Sequence, residues 1–236
     1  MNTVEHARHQ FSEDLSTLER QTLGGLEMVV QQLDRALESL HYQDVELAAL
    51  VIADDDRIDG RYLEVHQGIL SLLGRQPPAA GELRMLAALL HILRCMERMG
   101  DQCVNIAKLV PLSGHEAPKD KDILDLIRRM GLRARAEVAE AIDALSSRNA
   151  ELARDLLRQD SEINHLNREI FRRAVQAGDD VELREWAMFM ILVARCLERI
   201  GDNAVDIAEQ VVFVVTGLFR EFADASHAAG GTSPDG

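Results

Sequence analysis

The sequence predicts an all-α protein of two tandem three-helix bundles, six helices related by an internal repeat. Three observations carry this reading. Apolar residues recur at helical spacing along almost the whole chain, so each segment has one face to bury. Aromatic residues make up only 4% of the 236 positions and there are five prolines. That composition suits helices better than sheets, which lean on aromatic and β-branched side chains. Finally, the segment Arg94-Cys-Met-Glu-Arg-Met-Gly-Asp returns 101 residues later as Arg195-Cys-Leu-Glu-Arg-Ile-Gly-Asp.

Taken in order, a first helix is expected from about Val4 to Leu40, with Phe11, Leu15, Leu18, Leu26, Val29, Leu33, Leu37 and Leu40 on one stripe. Gly24-Gly25 inside it marks a kink or a close packing contact. Asp44 is placed to cap a second helix that reaches about Leu73. Gly74, Pro77, Pro78 and Gly81 then make a turn, and a third helix runs from about Glu82 to Val110. The stretch Pro111 to Lys119, with two prolines and a glycine, is the natural boundary, giving a first unit over 1–112 and a second over 117–222. The fourth helix is expected over Lys121 to Leu145. Asn149 caps a fifth that ends near Ala177, and the sixth spans about Val181 to Phe222. The Gly/Ser/Pro-rich tail, 223–236, is expected to be disordered. The restart is itself a repeat, because Asp44-Val-Glu-Leu-Ala answers to Asn149-Ala-Glu-Leu-Ala at an offset of 105. The change of offset from 105 to 101 falls in the turn before the third helix of each unit, where length changes are tolerated.

A formal net charge of −14 argues against nucleic acid as a partner, since such binding needs clustered Lys and Arg to displace phosphate counterions. Three cysteines without a Cys-x-x-Cys pair form neither a disulfide framework nor a structural zinc site. The N-terminal stretch is charged from the start, unlike a secretory signal, and no apolar run approaches the ~20 residues of a membrane span. A cytoplasmic location is expected.

Glu97 and Asp101 stand four apart and so share a helix face, and Asn105 continues the row. In the second copy the row is Glu198, Asp202 and Asp206. Like charges at this spacing oppose a helix unless something neutralises them. Two explanations are open: a solvated face with Arg94 and Arg195 as local counterions, or a metal site. The second helix offers a facing row, Asp55 and Asp59, matched in the second copy by Asp160 and Asn164. Such all-oxygen clusters suit divalent or trivalent ions, Mg, Mn, Fe or Zn. Gly100 and Gly201 lie mid-helix, where glycine costs about 1 kcal/mol against alanine, so each points to a close approach by a helix or an ion cluster. Cys95, Cys103 and Cys196 read as small core residues. Leu89, Ile92, Met96, Met99, Cys103 and Ile106 form the core stripe of the third helix, and His6, His9 and His91 read as surface or packing residues. Glu38-x-x-His41 and Glu162-x-x-His165 raise a carboxylate-bridged metalloenzyme as an alternative, but the repeat does not relate them. A metal-free helical scaffold is the third reading. No nucleophile elbow, phosphate-cradling loop or dinucleotide fingerprint is present.

The paired Glu-Arg-x-Gly-Asp segments followed by Asn105-Ile-Ala and Asp206-Ile-Ala resemble the PhoU family. So do Phe11-x3-Leu15-x2-Leu18, Asp55-x2-Ile58-Asp59, Glu82-Leu-Arg84 and the run from Ile207 to Gly217, and the resemblance spans about residues 8–220. It implies two three-helix bundles in a non-enzymatic, cytoplasmic, homodimeric regulator. Such a protein links the ATPase subunit of a phosphate ABC transporter to a sensor histidine kinase and restrains phosphate uptake and signalling. It also implies metal bound through E/D-x-x-x-D motifs, here Asp55/Asp59 with Glu97/Asp101, and Asp160 with Glu198/Asp202. Asn164 departs from that pattern, and an amide is a weaker ligand than a carboxylate. A bare phosphate anion would be repelled by these carboxylates, so sensing is expected to be relayed by the transporter.

Overall fold

A computed structural model describes residues 3–114, 119–159 and 161–218. Among them every regular element is a helix: α1 (Thr3–Tyr42), α2 (Val45–Ala53), α3 (Asp55–Arg75), α4 (Ala80–Leu109), α5 (Lys121–Ser147), α6 (Ala150–Gln159), α7 (Ser161–Val175) and α8 (Val181–Thr216). The four long helices follow the apolar stripes closely. Phe11, Leu15, Leu18, Leu26, Val29, Leu33 and Leu40 on α1 are all buried, and so is the whole Leu89-to-Ile106 stripe on α4.

Of the two second helices, the described residues show a break in the first, which differs from expectation. It breaks at Asp54, whose N–H still donates to the Leu50 carbonyl at 2.9 Å, while Arg57 N–H donates back only three residues to Asp54. The cause is a side chain from α1. Gln32 Nε2 donates to the Val51 carbonyl at 3.3 Å and to Asp55 Oδ1 at 3.0 Å, entering the helical ladder at the break. Arg35, one turn further along α1, pairs with Asp54. In the second unit α6 ends at Gln159 and α7 begins at Ser161, and Asp160 between them lies outside the described residues.

The caps follow the sequence. Asp44 accepts from Leu47 N at 2.9 Å and Asn149 from Glu151 N and Leu152 N at 3.0 and 3.1 Å. Asp120 and Asp180 do the same at the starts of α5 and α8. The turns ahead of Asp44 and Asn149 share a backbone oddity: Gln43 and Arg148 have φ of 56° and 49°, a left-handed conformation unusual for residues with a Cβ. The last helix is shorter than expected. It stops at Thr216 because Gly217 takes φ 72° and donates its N–H to the Phe213 carbonyl at 2.8 Å, a left-handed C-terminal stop. The start of the second unit at 117 and the tail 223–236 lie outside the described residues.

The first unit is α1 through α4 and the second α5 through α8. They join side by side, α4 against α8 and α1 against α5, and one contiguous set of buried apolar side chains runs through both. The Arg84 guanidinium near the start of α4 lies beside Gly217 at the end of α8, so these two helices run antiparallel. A cation at that carboxyl end complements the helix dipole. Between α1 and α5, Asp34 accepts from Arg135 Nε at 2.6 Å and Glu19 receives Arg148 in two contacts at 2.9 and 3.0 Å. A Cβ at Gly131 would lie 2.8 Å from Leu37, so glycine there sets how closely the units approach.

The Gly24-Gly25 pair divides into two roles. A Cβ at Gly25 would strike the Met96 side chain and sit 3.0 Å from Arg61 Cγ, whereas one at Gly24 meets nothing within 4 Å. Close packing is thus the role of Gly25 alone. Gly24→Ala is expected to stabilise the protein by about 0.5–1 kcal/mol through helix propensity, and Gly25→Ala to destabilise it by about 1–3 kcal/mol through overpacking. Thermal unfolding of the two variants should move in opposite directions.

Candidate metal centre

Asp55 opens α3 where the break with α2 frees the first turn, and it faces α4 directly. A Cβ on Gly100 would lie only 2.9 Å from Asp55 Oδ1 and 3.3 Å from Ile58 Cδ1. The mid-helix glycine therefore admits a carboxylate to the α4 backbone. Glu97 and Asp101 flank Gly100 on α4, three residues before it and one after. Burial pushes the Asp55 carboxyl above its ordinary range. The hydrogen bond from Gln32 opposes that rise, and the neighbouring carboxylates Asp59, Asp101 and Asp56 reinforce it. Asp55, Asp59 and Asp101 thus share one field of negative charge. Asp59 and Asp101 are exposed and Asp55 half-buried, so the cluster opens to solvent.

Glu97 adds an observation that bears on a ligand. Its Oε2 is buried and accepts no hydrogen bond, and the Arg94 guanidinium stands off at 3.7 Å. A buried carboxylate oxygen without a donor is costly, and a cation supplies what it lacks. Among the described residues, no three of Asp55, Asp59, Glu97 and Asp101 bring their carboxylate oxygens within 4.8 Å of one another, so what speaks for a hard or borderline ion here is the cradle that a Cβ would fill and the orphaned Glu97 oxygen. Asn105, the last residue of that row, is exposed.

In the second unit Glu198 is paired with Arg195 and its side chain is only 13% exposed, so its carboxylate is already engaged. Asn164 is half-buried and Asp202 exposed. Asp160 lies outside the described residues. Asp206 does not stay with its row. Eight residues of helix rotate it away from Glu198, and its carboxylate turns to α4, where it lies beside His91 and Cys95. Burial raises its pKa, with His91 and Arg98 opposing the rise.

Two residues that the sequence reading passed over are central. Gln32 ties α1 to Asp55, and its counterpart 105 positions on, Glu137, is fully buried. Glu137 accepts from Arg133 Nε at 3.0 Å, and Arg133 Nη1 lies 3.6 Å from Glu140. The signal was available: a Gln or Glu standing in the apolar stripe of α1 and α5. All three cysteines are buried as expected, with burial pushing the Cys95 thiol up to about 12 and Cys103 further. His41 and His165, the imidazoles of the metalloenzyme alternative, are both exposed, and His41 packs edge-on against Tyr42.

The two four-segment helical units and the doubled Glu-Arg-x-Gly-Asp face define a tandem-repeat helical protein. Comparison with known proteins agrees: the family model for the PhoU domain matches twice, over residues 25–110 and 127–211. This chain belongs to the PhoU family. It is 31% identical over 222 residues to a phosphate-specific transport system accessory protein PhoU homolog of Zymomonas mobilis, covering 91% of this chain and 90% of that one. A protein of the same description from Clostridium acetobutylicum is 29% identical over 213 residues, covering 89% and 96%. Among solved structures, PhoU from Pseudomonas aeruginosa matches with a TM-score of 0.81 at 27% identity, covering 88% of this chain and all of that one. The phosphate transport system regulatory protein PhoU from Streptococcus pneumoniae shares the fold with a TM-score of 0.83 at 24% identity, covering 89% and 99%.

Proposed function

We propose that this protein is a non-enzymatic regulator of phosphate transport that works in the cytoplasm as a homodimer. In this reading it couples the ATPase subunit of a phosphate ABC transporter to a sensor histidine kinase and lowers uptake and phosphate signalling when phosphate is plentiful. The observation that carries the reading is the doubled PhoU match, together with relatives described as phosphate-specific transport system accessory proteins that align over nearly the whole chain. Among the described residues, no helix is long and apolar enough to cross a membrane, which suits a protein that reaches the membrane through partners. Asp55, Asp59, Glu97 and Asp101 hold a divalent or trivalent ion between α3 and α4. In the second unit Glu198 and Asp202 do so with Asp160.

The regulatory reading is tested by deleting the gene and measuring phosphate uptake and phosphatase expression in rich phosphate. Both should rise. Unchanged regulation in a strain with no second copy would overturn the assignment. The metal reading is tested separately by elemental analysis after loading, with Glu97→Ala/Asp101→Ala as control. The double variant should lose the first unit's share of the ion, and equal content in both proteins would sink it.

A further inference from the structure

Three metal-ligating side chains meet in the seam between the two units, on a face that the carboxylate clusters do not use. His91 and Cys95 stand four apart on α4, one turn above the other, and Asp206 reaches them from the antiparallel α8. One ligand atom from each lies within 4.8 Å of the other two. We propose that His91, Cys95 and Asp206 form a binding site for a borderline divalent cation of the zinc class, shared between the two repeats.

The donor set selects the ion. One sulfur, one imidazole nitrogen and one carboxylate oxygen suit zinc, cobalt or nickel rather than magnesium or calcium, which prefer oxygen alone. Ligand bonds of about 2.0–2.3 Å put tetrahedral donors roughly 3–4 Å apart, so the side chains need to close by at most about an ångström. They are graded to do so: Cys95 is buried at the floor, Asp206 half-buried, and His91 exposed at the mouth. An ion can arrive from solvent past His91, and its fourth position is left for water or a partner's ligand. Arg98, exposed beside this cluster, also faces Asp206 and gives way when an ion binds.

The repeat supplies an internal control. At the offset of 101, His91, Cys95 and Asn105 correspond to Leu192, Cys196 and Asp206. The symmetry-related side of the seam therefore has Cys196 with Leu192 and Asn105, a buried thiol with neither of its companions. A thiol there needs no ligand role, being a small core residue. The side with His91 and Asp206 has gained two donors around the same thiol. An ion bound there would tie α4 to α8 and hold the two units in one arrangement.

The test is titration of the full chain with cobalt(II) chloride, read by the near-ultraviolet thiolate-to-cobalt charge-transfer band. Wild type should show the band, saturating at one ion. His91→Leu and Asp206→Asn install residues that the opposite side already carries, so the fold tolerates them, and each should weaken binding by about tenfold or more. Cys95→Ser should abolish the band, while Cys196→Ser and Glu97→Ala/Asp101→Ala leave it. That last variant separates this site from the carboxylate centre. No thiolate band in wild type, an unchanged band in His91→Leu, or a band lost with Cys196→Ser instead would overturn the proposal. Should Cys95→Ser fail to fold, the His91→Leu result decides alone.

Discussion

Arg133→Met is expected to destabilise the protein by about 3–5 kcal/mol, the cost of taking one partner from a buried ion pair. Glu137 is fully buried on α5 and Arg133 only 15% exposed, with Arg133 Nε 3.0 Å from Glu137 Oε1. Without that guanidinium the carboxylate must remain charged in a low-dielectric core or take up a proton, and both are unfavourable. The first unit shows a solution that avoids the charge, because the equivalent positions hold Met28 and Gln32. The double variant Arg133→Met/Glu137→Gln copies that arrangement and should recover most of the lost stability, since replacing a whole buried pair is often neutral or better. Urea unfolding of both single variants and the double closes a cycle that isolates the pair. A single Arg133→Met within about 0.5 kcal/mol of wild type, or a double variant as unstable as that single, would contradict this reading.

Gly100→Ala is expected to disable the metal site proposed between α3 and α4. The new Cβ would lie 2.9 Å from Asp55 Oδ1 and 3.3–3.4 Å from Ile58, closer than van der Waals contact allows. The short aspartate side chain must swing away, which breaks the Gln32–Asp55 hydrogen bond and moves one ligand off its position. Metal affinity in that unit should fall by about tenfold or more. Stability should change less, because overpacking of about 1–3 kcal/mol is partly offset by alanine's helix propensity of about 1 kcal/mol. Manganese binding followed by calorimetry, with Gly24→Ala as a helix-propensity control, distinguishes a ligand-cradling glycine from one that serves helix packing alone. Unaltered affinity in Gly100→Ala would assign it to packing.

A large part of this molecule was legible in its sequence. The 3.6-residue stripes placed all the long helices, because burying one face of a helix leaves a strict periodic trace in residue type. Asp44 and Asn149 were readable as caps because a side-chain acceptor at that position satisfies an otherwise unpaired amide. The Glu97–Gly100–Asp101 triplet announced a close approach because two like charges and a glycine each oppose an isolated helix. The misjudged points have a common origin. The α2–α3 break depends on Gln32, which comes from another helix, and the local sequence around Asp54 carries no proline or glycine to mark it. Similarly, the left-handed turns at Gln43 and Arg148 lack the usual glycine, so no residue type signals them.

By itself, then, the sequence determined the repeat, the helices and the carboxylate pairs on each helix face, since all of these follow from spacing along one chain. Tertiary structure alone decided which faces meet. It brought Asp55 onto Gly100, put Glu137 where Gln32 stands in the first unit, and turned Asp206 out of its own row toward His91 and Cys95. The reason is geometric: helical spacing tells which side chains share a face, but a partner's identity depends on how two helices cross and in which direction they run.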